Sequence, residues 1–230
     1  MAGMANNAAQ RANFGVLWDM DGVLVDTGAF HYAAWTATLR REGLTYEPEI
    51  FRATFGMDNR GVLTRLLGRD PEPEFLTRIS DEKEASFREA IRGKAQPLPG
   101  VRTWLSRLSG AGVPQALASS APPANIELLV DSLALRSYFT AIVSTWGMPG
   151  KPDPAVFLEA ARRIGVPAGR CVVVEDAVAG VEAARRAGMR CIAVTNTNSR
   201  AELSGADVVV DSLEELGEDA FERMNVSREG

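Results

Sequence analysis

The stretch Phe14 to Gly28 reads "FGVLWDMDGVLVDTG". Phe14 to Trp18 has the length and apolarity of a buried strand. It ends in two carboxylates one residue apart, Asp19 and Asp21, with Gly22 immediately after. Charge at the end of a buried strand is costly unless something compensates it. The two acids therefore mark either a turn or a site, and the rest of the chain has to say which.

Outward from this stretch the pattern divides in two. From Thr27 to Gln96 the periodicity is helical only. Helices are expected over Phe30–Arg41, over Asn59–Leu67 with Asp58 as its N-cap, and over Glu72–Arg92. The segment "KAQPLPG" then closes this part with Pro and Gly. Beyond it the pattern alternates. The strand-like runs "VPQALAS", "AIVS", "CVVVED", "CIAVTNT" and "DVVVD" are separated by helical segments, among them Val101–Leu108, Ala155–Ile164 and Val178–Ala187. Apolar, β-branched strands between helices indicate a parallel sheet covered on both faces. The first strand belongs to that sheet. The expected architecture is α/β, with a parallel-sheet core at residues 1–26 and 97–230 and an inserted helical unit at 27–96.

Bulk properties narrow the function. The chain has 230 residues and a formal net charge of -5, with no basic block. That argues against nucleic acid as a partner, since phosphate backbones are held by clustered Lys and Arg. Cys171 and Cys191 each open an apolar run and read as buried thiols on neighbouring strands. No apolar stretch is long enough to cross a bilayer. The N-terminal "MAGMANNAAQRAN" lacks a signal peptide's apolar centre and reads as an unstructured lead-in. A cytoplasmic monomer is the expectation.

In an open parallel sheet, ligands bind beyond the carboxyl ends of the strands. Asp19 and Asp21 follow the first strand there. Ser119 and Ser120 follow the second, Lys151 lies in the loop after the third, and Glu175 and Asp176 follow the fourth. Carboxylates crowded together repel unless a cation sits among them. Hard oxygen ligands without His or Cys point to Mg2+. Lys151 can neutralise an anion, and the serine hydroxyls with the backbone N–H groups after Gly22 can hold phosphoryl oxygens. Asp19 is then placed to attack phosphorus, and Asp21 to protonate the leaving oxygen and later activate water. A calcium loop is excluded, because its sixth and twelfth positions counted from Asp19 are Leu24 and Phe30 rather than Gly and Glu.

"DMDGVLVDT", Ser119, "GKPDP" and "VVVEDAVAGVEAARRAGM" together resemble, in order, the four motifs of the haloacid dehalogenase-like hydrolases, in the branch of β-phosphoglucomutase and small sugar-phosphate phosphatases. The resemblance implies a Rossmann-like core, an α-helical cap inserted after the first strand, and Mg2+-dependent phosphoryl transfer through an aspartyl phosphate. It makes Asp19 the nucleophile, Asp21 the acid/base, and Ser119 and Lys151 the phosphate-holding pair. Asp176 with Glu175 would hold the metal, beside the carboxylate of Asp19 and the backbone carbonyl of Asp21.

Within the insert, His31 stands where the mutase branch has a substrate-facing histidine; the alternative is a solvated helix face. Arg60 resembles a cap arginine that meets a sugar or second phosphate; the alternative is a surface arginine. Trp35 reads as packing between cap and core, Lys83 as part of a solvated, salt-bridged face, Ser120 as a turn former, and Asp26 with Thr27 as the cap of the entering helix. Phe55 stands about where the mutase has a lysine, and Ala121 where it has a further serine. Both departures remove grips on a second phosphate. The expected activity is hydrolysis of a small phosphomonoester such as a sugar phosphate, the alternative being a β-phosphoglucomutase-like phosphomutase. A dehalogenase, which needs neither Asp21 nor the acidic pair, and a non-enzymatic phosphoacceptor, which needs no cap, fit less well.

Overall fold

The structure is a computed structural model and describes residues 14–226; the expected N-terminal lead-in lies outside the described residues. The apolar runs form strands β1 (Gly15–Trp18), β2 (Gln115–Ser119), β3 (Ala141–Ser144), β4 (Cys171–Glu175), β5 (Arg190–Val194) and β6 (Val208–Val210). The helices are α1 (Gly28–Arg41), α2 (Pro48–Thr54), α3 (Asn59–Leu67), α4 (Pro73–Ile91), α5 (Val101–Gly110), α6 (Pro123–Ser132), α7 (Ala155–Ile164), α8 (Val178–Arg186) and α9 (Ala220–Val226).

All strand pairs are parallel, in the order β3-β2-β1-β4-β5-β6. This is the doubly wound, Rossmann-like order, in which the direction of winding reverses at the central strand. Successive strand residues face opposite sides. Val16, Trp18, Leu117, Val172 and Val174 pack with α5, α6 and α9, while Leu17, Ala116, Ala118, Val173 and Cys191 pack with α7 and α8. Burial on both faces explains why the strands read as continuous apolar runs rather than alternating ones. Cys171 and Cys191 are free and buried on adjacent strands, and burial pushes the Cys171 thiol up to about 12.

The helices between β1 and α5 enclose a small core of their own, formed by Trp35, Leu39, Tyr46, Val62, Leu63 and Ile79. Trp35 packs inside this unit and not between it and the sheet, as the sequence had suggested. Phe87 and Ile91, at the far end of α4, instead join the main core. The two connections run side by side: Val25 bridges Pro97, and the Leu98 N–H donates to the Leu24 carbonyl at 3.0 Å. Among the described residues, no helix is long and apolar enough to cross a membrane.

Candidate active site

The chain leaves β1 by a turn that depends on Gly22. Asp19 N–H still donates to the Val174 carbonyl at 3.0 Å, one step past the ladder. Then Gly22 takes φ of 80°, and its N–H donates to the Val25 carbonyl at 2.8 Å. A side chain here would be strained, and its Cβ would lie 1.9 Å from Asp176 Oδ2. Gly180 in α8 plays the matching part, since a Cβ there would meet Glu175 Oε1 at 1.8 Å. Two glycines thus make room for two carboxylates at the end of β4.

Carboxylate oxygens of Asp19, Glu175 and Asp176 lie within 4.8 Å of one another, and all three residues are buried. Lys151 Nζ donates to Asp19 Oδ1 at 2.5 Å and to Glu175 Oε1 at 2.6 Å. Glu175 Oε2 accepts from the backbone N–H groups of Asp176 and Ala177, both at 2.9 Å. Asp176 differs, since among the described residues neither of its buried oxygens accepts a well-formed hydrogen bond. Burial pushes the Asp19 carboxyl up to about 8; Lys151 pulls it down, and Glu175 and Asp21 push it further up. Burial also raises Asp176 well above the usual range, with Glu175 and Asp19 adding to it; Thr197 and Lys151 pull the other way. Lys151 is itself raised: burial opposes its charge, but Asp19 and Glu175 outweigh burial. One ammonium does not balance three buried acids. A bare carboxylate beside two held ones fits a hard divalent cation such as Mg2+.

Asp21 sits apart from this trio, 14% exposed. Its Oδ1 accepts from the Thr27 hydroxyl at 2.6 Å and lies 3.2 Å from His31 Nε2. His31 Nδ1 lies 2.9 Å from Lys83 Nζ, and the ring stacks on Phe87 at 3.9 Å. An ammonium only donates, so Nδ1 accepts and Nε2 carries the proton toward Asp21. Burial pushes Asp21 up, but the His31 and Thr27 hydrogen bonds and the charge of Lys83 outweigh it, and the carboxyl ends below its usual range.

Several residues lie elsewhere than expected. Thr27 makes no cap bond and gives its hydroxyl to Asp21, while Asp26 accepts from the Gly28 N–H at 3.3 Å. Lys83 is buried, not solvated, and donates to Glu84 Oε1 at 2.8 Å as well as meeting His31. Arg60 points outward and pairs with Asp70. The preceding residue, Asn59, faces inward and donates to Glu84 Oε1 at 2.9 Å. Helix α3 starts at Asn59, so a shift of one residue turns the side chain through about 100°. Ser119 Oγ is buried and accepts from the Ala121 N–H at 3.0 Å, and Ser120 Oγ is buried without a partner.

The helical unit closes over the acids. Asp21, His31, Phe55, Asn59, Lys83, Glu84, Ser120 and Ala121 line a pocket with about 50 Å3 of free space, room for only a few waters. Asn59, Glu84 and Asn125 went unremarked in the sequence. Glu84 Oε2 accepts from Asn125 Nδ2 of α6 at 2.6 Å, a buried bond between the helical unit and the sheet unit. A signal was present in the sequence for the charged pair. Ile79, Ser80, Lys83, Glu84, Phe87 and Ile91 recur at helical spacing and form the buried stripe of α4.

A family model described as haloacid dehalogenase-like hydrolase matches residues 15–188. The chain is 35% identical over 187 residues to fructose-1-phosphate phosphatase YqaB of Escherichia coli, covering 78% of this chain and 95% of that one. It is 29% identical over 205 residues to the chloroplastic 5-amino-6-(5-phospho-D-ribitylamino)uracil phosphatase of Arabidopsis thaliana, covering 88% of this chain. It spans only 55% of that longer relative. Among solved structures, a β-phosphoglucomutase from Clostridium difficile superposes with a TM-score of 0.82 at 25% identity, over 92% of this chain and 96% of that one.

Proposed function

Because the chain belongs to the haloacid dehalogenase-like hydrolases, we propose that it is a Mg2+-dependent phosphatase that hydrolyses a small phosphomonoester, a sugar phosphate or similar metabolite, through an aspartyl phosphate on Asp19. The observation that carries this reading is the buried trio of Asp19, Glu175 and Asp176 around Lys151, with neither oxygen of Asp176 accepting a well-formed hydrogen bond among the described residues.

Asp19, Asp176 and the backbone carbonyl of Asp21 are the residues to hold the cation, with Glu175 beside them fixing Lys151 and the turn after β4. Bound there, Mg2+ supplies positive charge against the acids and the phosphoryl oxygens. The remaining chemistry belongs to this chain. Lys151 holds Asp19 Oδ1 and fixes the carboxylate for attack. An Asp19 oxygen forms the new bond to phosphorus as the ester P–O bond breaks, and the leaving oxygen takes a proton from Asp21, which has to be in its protonated form for this step although its carboxyl lies below the usual range. Water then attacks the aspartyl phosphate and gives its proton to Asp21, and phosphate leaves with Asp19 restored. Ser119 steadies the phosphoryl oxygens with its hydroxyl, and not the turn as the sequence had suggested, because the N–H groups of Gly22, Leu24 and Val25 already donate to the Val25 and Met20 carbonyls. The helical unit, residues 27–96, acts as the cap that excludes bulk water.

Incubation of the purified chain with sugar phosphates, with and without a chelator, tests the reading by phosphate release. Release should require Mg2+, and Asp19→Asn should lower kcat by at least about 10^3-fold while the far-UV circular dichroism is unchanged. Substantial turnover by that variant would remove the covalent step. Turnover untouched by the chelator would remove the metal.

A further inference from the structure

We infer that the cap end of the pocket is built for an uncharged, hydroxyl-bearing group and rejects a second phosphate, with Glu84 as the residue that sets this choice. The inference deepens the phosphatase reading and rests on it. On that reading the phosphoryl group sits at Asp19, next to the end of the pocket lined by Asp21 and Ser120. The question is what the opposite wall takes.

Among the described residues lining the pocket, Lys83 is the single Lys or Arg, whereas Asp21 and Glu84 are both acids. Lys83 is already committed. Two of its three N–H donors go to Glu84 Oε1 and His31 Nδ1, leaving one. Its charge is matched by a carboxylate 2.8 Å away. The arginines that could add charge are turned elsewhere. Arg60 pairs with Asp70 on the outer surface, and Arg88 donates to Asn125 Oδ1 beyond Glu84. The side chain of Glu84 is 7% exposed and is anchored by Lys83, Asn59 and Asn125. It cannot swing away from an incoming anion without breaking three hydrogen bonds, two of them buried.

A second phosphate would bring close to two negative charges against this wall, in a partly enclosed space where repulsion is stronger than in open water. A hydroxyl meets the opposite situation. It can donate to Glu84 or accept the remaining Lys83 proton. It can also pair with Ser120 Oγ, which is buried in the lining without a partner. An unpaired buried hydroxyl in a binding site favours a ligand that completes it. Trp35 and Phe55 supply apolar surface for the carbon skeleton.

The test separates this inference from the hydrolytic reading by measuring binding as well as turnover. Titration calorimetry of Asp19→Asn with Mg2+ compares fructose 1-phosphate, fructose 1,6-bisphosphate and propyl phosphate. The expected order is the monophosphate tightest, by at least about tenfold over each of the other two. Glu84→Gln in the same background removes the charge at constant shape, and should narrow the gap between monophosphate and bisphosphate by about tenfold. Equal or tighter binding of the bisphosphate, equal binding of propyl phosphate, no binding of any ester, or a gap that Glu84→Gln leaves intact overturns the inference. Failure of the otherwise unmodified chain to release phosphate from an ester that this variant binds counts instead against hydrolysis.

Discussion

Asp176 carries two buried oxygens that accept no well-formed hydrogen bond among the described residues, and Asp19 shares one ammonium with Glu175. Without a cation the sign of the consequence is fixed. Asp19 is raised from an ordinary 3.8 to about 8 by burial, so the folded state binds a proton that the unfolded state releases. Its contribution is fully present below 3.8 and is lost as pH rises through about 8. Asp176 moves in the same direction. Lys151 is raised above its ordinary value and stays charged across that window. Metal-free protein should therefore lose thermal stability across this window. Mg2+, which binds the deprotonated acids, should restore more as pH rises, with about 2–4 °C in Tm for each kcal/mol. Scanning calorimetry at several pH values, with Mg2+ and with chelator, measures both slopes. A Mg2+ effect that shrinks as pH rises would contradict the assignment of these acids to the cation.

At the scale of elements, α4 decides how the cap is read. Its buried stripe places Lys83 and Glu84 between Ile79 and Phe87, so a charged pair occupies positions that spacing alone would give to apolar residues. Burial pushes Glu84 up, yet Lys83 and the Asn59 hydrogen bond hold its carboxyl below the usual range. Removing one member of such a pair leaves a buried charge behind. Lys83→Met should destabilise the fold by about 3 kcal/mol, toward the low end for a broken buried pair because Asn59 and Asn125 still donate to Glu84. Adding Glu84→Gln should recover part of that loss. A double-mutant cycle by denaturant unfolding reads the coupling directly, and an additive double variant would mean that the pair does not interact. The same helix shows where the sequence was legible and where it was not. The strands were legible because burial on both faces makes them unbroken apolar runs, and α3 was legible because Asp58 caps it, accepting from the Gly61 N–H at 2.7 Å. Acids at strand ends could be placed because a parallel sheet fixes which end they share. Inside the cap no such rule operates. Lys83 looked solvated because its sequence neighbours are charged, although helical spacing puts it in the buried stripe. Arg60 and Asn59 differ by one position on a helix whose facing is set by packing. Helix α2 spans seven residues, too short for its period to be read.

At the scale of the whole molecule, the pocket is too small for the substrate proposed for it. About 50 Å3 holds a few waters but not a sugar phosphate, so entry requires the cap to move away from the sheet. The paired connections at Leu24–Val25 and Pro97–Leu98 are where such a motion would pivot. The geometry offers a way to forbid it. Asp58 of the cap lies against Gly150, the residue before Lys151, and a Cβ built on Gly150 stands 3.5 Å from the Asp58 Cβ. That separation falls within the range of a disulfide. The double variant Asp58→Cys with Gly150→Cys, oxidised, should clamp cap to core with the active site intact beneath. Phosphate release from a sugar phosphate should fall by at least about 10^2-fold on oxidation and return on adding a thiol reductant. Cys171 and Cys191 are buried in the sheet and do not compete for the linkage. The reduced form controls for the lost Asp58 cap, and mass spectrometry confirms the bond. If the bridged enzyme turns over as fast as the reduced one, the substrate reaches Asp19 without cap opening, and the pocket beneath the cap is not its path.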